Sequence, residues 1–164
     1  MFAATAPSSR TCTISTGVSN DGAQQPLITS TEAAARASAH ASAGEAIVLA
    51  TDLVERLDGG APYFLVTLGK DDSGGVVVVV NALTGEAMAS ASLERIDRHR
   101  LPDRDEAIRS AAFPGDAQAR RVWLPSRATR SPFYPLWELT TDARRAYVDT
   151  NGKVWDAPGV DRRG

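Results

Sequence analysis

The residues able to do acid–base, nucleophilic or metal chemistry are few in this chain, and their spacing does not bring them together. The only histidines are His40, inside an alanine-rich run, and His99, in the charged stretch "RIDRHRLP". Neither has a Glu or His four residues on, so no helical zinc pair forms. Ser38 and Ser42 flank His40, but neighbours two apart on a helix point away from each other. No Gly-x-Ser-x-Gly elbow is present. Cys12 is the single cysteine, which excludes an intramolecular disulfide and any cysteine-based zinc site.

Phosphate and carboxylate chemistry fare no better. "GKDDSGG" (69–75) has the glycines and lysine of a phosphate loop, but it joins two predicted strands. A phosphate loop needs a helix N-terminus after it. Asp71 and Asp72 therefore read as a polar turn. Glu94, Asp97, Asp103, Asp105 and Glu106 alternate with Arg95, Arg98, Arg100 and Arg104. Mixed signs at that density describe a solvated face of weak ion pairs.

A basic and aromatic group remains in the second half. Arg120, Arg121, Arg127, Arg130, Arg144 and Arg145 interleave with Trp123, Phe133, Tyr134, Trp137 and Tyr147. Arginine and aromatic side chains on an open sheet stack bases and follow phosphates. The balance of charge argues against that role. The net charge is −2, split as −5 over residues 1–93 and +3 over 94–164, and the pI is about 5.7.

These side chains need elements to hold them. At 164 residues the chain is long enough for one core without disulfide or metal support. The longest apolar run, Val76–Val80, is far short of the roughly 20 residues of a membrane helix. The N-terminus lacks a basic segment followed by an apolar one, so the chain reads as cytoplasmic, or extracytoplasmic if trimmed. Residues 1–28, rich in Ser, Thr, Ala, Gly and Gln, show no apolar period and read as a disordered tail.

Thr29 stands three residues before Glu32, at capping-box spacing, and opens a helix over about residues 30–43, with Gly44 as its stop. "EAIVLATDLVERL", "APYFLVTLG", "GGVVVVVNA" and "LTGEAMASA" then read as antiparallel strands. The order recurs. Asp103, three residues before Glu106, caps a second helix. "ARRVWLPSR", "SPFYPLWELT", "RRAYVDT" and "KVWDA" follow as strands, the last two joined at Asn151-Gly152. Pro132 and Pro135 mark the "FYPLWEL" strand as an edge, because proline donates nothing to a ladder. Its faces separate Phe133, Trp137 and Leu139 from Tyr134, Leu136 and Glu138.

The two halves share landmarks in the same order: Glu32-Ala33-Ala34 with Glu106-Ala107-Ile108, Pro62-Tyr63 with Pro132-Phe133, and "VNALTGEA" with "VDTNGKV". Such recurrence implies a duplicated unit. On these residues the chain resembles the PepSY-like domains, small cystatin-like α+β units with one helix laid across an antiparallel sheet. The resemblance covers residues 29–93 and 102–158.

The expected fold is thus α+β, two tandem helix-on-antiparallel-sheet units: a tail over 1–28, units over 29–101 and 102–158, and a C-terminal tail over 159–164. The expected function is a non-catalytic binding or regulatory module that recognises a peptide or peptidase through a sheet edge or face. The alternative is a small enzyme or ligand-binding protein with a pocket between helix and sheet. Tyr134, Leu136, Arg144 and Arg145 are the expected partner-binding residues. No cofactor or metal is expected. A protein or peptide partner or a homodimer fits this reading, whereas a membrane or nucleic acid does not.

Overall fold

The computed structural model describes residues 26–41, 46–69, 74–95, 101–126, 129 and 131–158. Most of the expected N-terminal tail, the C-terminal tail, Cys12, Gly44, Asp71, Asp72, His99, Arg127 and Arg130 lie outside the described residues.

Helix α1 (Ser30–His40) starts where the Thr29 side chain accepts from Glu32 N at 3.1 Å. Its buried residues are Ala33 and Ala37, so small side chains set a close approach to the sheet. Helix α2 (Arg104–Ser110) has a complete capping box: Asp103 accepts from Glu106 N at 2.7 Å, and the Glu106 carboxylate accepts from Asp103 N at 3.2 Å. The strands are β1 (Ile47–Arg56), β2 (Tyr63–Gly69), β3 (Gly75–Asn81), β4 (Ala87–Leu93), β5 (Gln118–Trp123), β6 (Leu136–Thr140), β7 (Arg145–Val148) and β8 (Val154–Trp155).

All eight strands belong to one sheet, ordered β4-β3-β2-β1-β5-β6-β7-β8. This corrects the expectation of two helix-on-sheet units. The parallel pairing of β1 with β5, over Val54–Arg121, Glu55–Val122 and Arg56–Trp123, fuses both halves into a continuous mixed sheet. The helices, 11 and 7 residues long, are minor additions to it. The physical reason is that a four-stranded meander leaves its first strand with an open ladder, and pairing the two first strands closes part of each.

The register also places the helices on opposite faces. Ala33 and Ala37 of α1 pack with Phe64, Val66, Leu68, Val78 and Val80. The alternate residues Val54, Tyr63, Leu65, Val77 and Val79 form a cluster on the other face. Val54 is level with Arg121, Arg121 with Trp137, and Trp137 with Val148, and Trp137 and Val148 pack with Ala107 and Ile108 of α2. Hence α2 covers the face that α1 leaves. Among the described residues no helix is long and apolar enough to cross a membrane.

Candidate binding edge

Strand β1 pairs with β2 along nearly its whole length, but with β5 only from Val54 onward. Among the described residues, nothing pairs with the β5 side of Ile47–Leu53. Ile47 (56%), Val48 (44%), Leu49 (40%) and Leu53 (38%) are all exposed there. Counting back along the parallel register from Val54–Arg121 sets Thr51 beside Gln118, where β5 begins. Ile47–Ala50 therefore extends past the end of its neighbour. A β-bulge lies between Val48 and Ala50. Bulges bend the strand and raise its twist, while Ile47 and Val48 stay paired with Gly69 and Leu68 of β2.

Beyond the open segment, β1 is fixed firmly. The Asp52 carboxylate accepts from Arg121 Nε at 2.9 Å. Arg121 Nη2 and Trp137 Nε1 both donate to the Pro102 carbonyl, at 3.2 and 2.7 Å. On the opposite face Arg120 bridges Glu55 and Glu138. Glu138, only 2% exposed, also accepts from Tyr147 Oη at 2.9 Å and lies 3.5 Å from Arg145. The Arg120 guanidinium is held above its ordinary pKa chiefly by its hydrogen bond to Glu138. Burial pushes the Tyr147 phenol up, and the Glu138 carboxylate adds to it.

The four residues expected to bind a partner do not converge. Leu136 is fully buried, because β6 lies between β5 and β7 and is not an edge. The prolines that suggested an edge belong to a turn before the strand, closed by Tyr134 N donating to Ser131 O at 3.1 Å. Tyr134 is 44% exposed in that turn. Arg144 donates from Nη2 to the carbonyls of Ala111 and Ala112 at 2.7 and 2.8 Å and lies 3.8 Å from the Phe113 ring centre; it caps the end of α2. Arg145, opposite Thr140, is four residues along the ladder from Leu136, about 13 Å.

The two tryptophans of the basic and aromatic group are likewise engaged internally. Arg121 stacks 4.3 Å from the Trp137 ring and Arg56 5.0 Å from that of Trp123.

Two cavities adjoin the described strands. One, about 320 Å³, is lined by Ala46, Leu68, Val76, Leu93 and glycines. The other, about 230 Å³, is lined by Asp116, Ala117, Gln118, Thr140, Thr141 and Asp142. In the second lining the Thr141 hydroxyl accepts from Arg144 N at 3.3 Å, and among the described residues no group of three or more His, Cys, Asp or Glu could hold a metal.

Sequence reasoning found the β1 strand but not its open edge. The only local signal was the consecutive run Ile47-Val48-Leu49, which equally fits a buried strand. No family model matches the chain, and no curated protein matches it. Among solved structures it is similar to the crystal structure of a "putative lipoprotein" from Clostridium difficile. Identity is 14%, with 81% of this chain and 93% of that chain covered and a TM-score of 0.40. A likeness of that size fixes neither family nor function.

Proposed function

We propose that this chain is a non-catalytic binding module that captures an extended peptide along the open edge of β1. The observation that carries the reading is the stretch Ile47–Ala50, which extends past the start of β5 with Ile47, Val48 and Leu49 exposed in it. An exposed ladder with apolar side chains is costly to leave open, and proteins normally block such edges with charge, proline or cover. An added strand pairs with the backbone and buries alternate side chains, so main-chain hydrogen bonds supply affinity and side chains supply selectivity. Asp52 and Arg121 hold the closed part of β1 in place, so the open part presents a pre-formed edge. Kinship with PepSY-like domains is part of the same proposal. It is supported by the recurrent strand-turn motif at Asn81–Gly85 and Asp149–Gly152.

The test is a titration with a labelled peptide of about six residues alternating valine and threonine, alongside a copy N-methylated at alternate amides. Strand addition predicts that the unmethylated peptide binds, that N-methylation abolishes binding, and that Leu49→Lys weakens it with the fold intact. Equal binding of the methylated peptide, or binding indifferent to Leu49→Lys, sinks the reading.

A further inference from the structure

We propose a second, independent contact surface: the outer edge of β4, through which two copies of this chain pair antiparallel about a two-fold axis at Ala91. Strand β4 (Ala87–Leu93) ends the sheet and is hydrogen-bonded only to β3. The sheet's other end is β8, two residues long, and a very short edge strand is itself protected. The β4 sequence AMASASL contains no charge and no proline. Its one irregularity is a bulge at Met88, between the Ala87 and Ala89 pairings. From Ala89 to Leu93 the ladder is regular and the outer side is open among the described residues.

That regular stretch is its own complement. Centred on Ala91, an antiparallel pair sets Ala89 against Leu93 and Ala91 against Ala91 on one face, and Ser90 against Ser92 twice on the other. The alanine and leucine side chains already pack on the Val54/Tyr63/Leu65/Val77/Val79 cluster, so pairing extends an existing apolar layer across the axis. No like charges oppose within the ladder. At its end the register brings Glu94 of the second copy level with Met88. Glu94 is exposed and has no ion pair among the described residues. Arg36 of the first copy lies near the adjoining Gly85 turn, its Nε 3.7 Å from where a Gly85 Cβ would sit. Arg36 is paired with Glu32 of its own helix at 3.4 Å, so the uncharged ladder and the continued apolar layer carry the contact. One short strand per copy covers less than the roughly 1,200 Å² of a standard interface, so the dimer is weak and concentration-dependent.

Sedimentation across a concentration series, with cysteine cross-linking in a Cys12→Ser background, tests the register. The expected result is a monomer–dimer equilibrium whose midpoint rises at least tenfold in Ser90→Lys/Ser92→Lys. Both serines are exposed, so that variant keeps its melting temperature. Ala91→Cys cross-links on oxidation, because the paired Cα atoms stand about 4.5–5.5 Å apart. Ser90→Cys does not, since its own symmetry mate is offset by two residues, beyond the ~7 Å a disulfide spans. A monomer at every concentration, a dimer unmoved by the two lysines, or equal cross-linking from positions 90 and 91 overturns the proposal.

Discussion

Arg121 and Trp137 face each other across β5 and β6, the guanidinium carbon 4.3 Å from the indole ring centre, and both donate to the carbonyl of Pro102. One acceptor thereby ties the connector before α2 to the strand that joins the two halves of the sheet. Trp123, two residues from Arg121 on the same face, makes the contrast: among the described residues its buried Nε1 has no partner, and neither has Arg121 Nη1. Trp137→Phe removes a made hydrogen bond, whereas Trp123→Phe removes a donor that was never satisfied. Both lose similar ring area, so the difference between them isolates the bond. Urea denaturation is expected to show Trp137→Phe the more destabilising by about 1 kcal/mol. Equal losses contradict the assignment.

Glu138 supplies a second prediction, because its side chain is nearly buried while those of Arg120 and Arg145 are 48% and 58% exposed. Breaking a wholly buried ion pair costs about 3–5 kcal/mol, mostly through the stranded charge. Here the stranded arginines rehydrate, so Glu138→Gln is expected to cost only about 1–2 kcal/mol. Tyr147→Phe is expected to cost about 1 kcal/mol. The double variant should cost less than the sum, since Tyr147→Phe removes the 2.9 Å bond that Glu138→Gln weakens from a charge-assisted to a neutral one. Strict additivity in a double-mutant cycle would show that the two groups are not coupled.

Local chemistry made part of this structure legible. Thr29 and Asp103, each three residues before a glutamate, announced both helix starts, because capping is decided within one turn of chain. Val76–Val80 read correctly as a buried strand. Ile47-Val48-Leu49 has the same residue types and meets the opposite fate, since its exposure depends on where β5 begins, some seventy residues later. Leu136 failed for a similar reason: its prolines shape a turn, and its burial comes from β5 and β7 on either side. Arg144 and Arg145 are adjacent in sequence, yet one caps α2 and the other reaches Glu138. The expectation of two separate units fell to a single long-range fact, the parallel β1–β5 pairing, which no local pattern encodes.

The left-handed positions give predictions of opposite sign. Gly85 and Gly152 have φ of 73° and 77° in the matched turns after Asn81 and Asp149, whose side chains accept from Leu83 N at 2.8 Å and from Asn151 N at 2.9 Å. Ala112, just past α2, has φ 50° and is the only non-glycine with positive φ among the described residues. A side chain in that region costs roughly 1–2 kcal/mol. Gly85→Ala and Gly152→Ala should therefore destabilise by about 1 kcal/mol each, and Ala112→Gly should stabilise by up to about 1 kcal/mol. Thermal melts of the three variants check this; destabilisation by Ala112→Gly would refute the argument.

The last prediction concerns acid. Asp58 follows β1 and accepts from Arg56 Nε at 2.9 Å and from Gly60 N at 3.1 Å. The hydrogen bond from Arg56 is the main cause that holds its carboxyl down to about 2, from an ordinary 3.8. A carboxylate depressed in the folded state binds fewer protons there than in the unfolded chain, so stability rises with pH across that interval. The contribution is present above the ordinary value and is lost as pH falls through the folded one. Asp58→Asn should thus be less stable than the parent at about pH 6, with the gap closing between about pH 4 and 2. The pair is partly exposed, so added salt should narrow the gap as well. Equal stability of Asp58→Asn and the parent at about pH 6 would mean that Asp58 acts through the hydrogen bond to Gly60, which an asparagine side chain still accepts, and not through its charge.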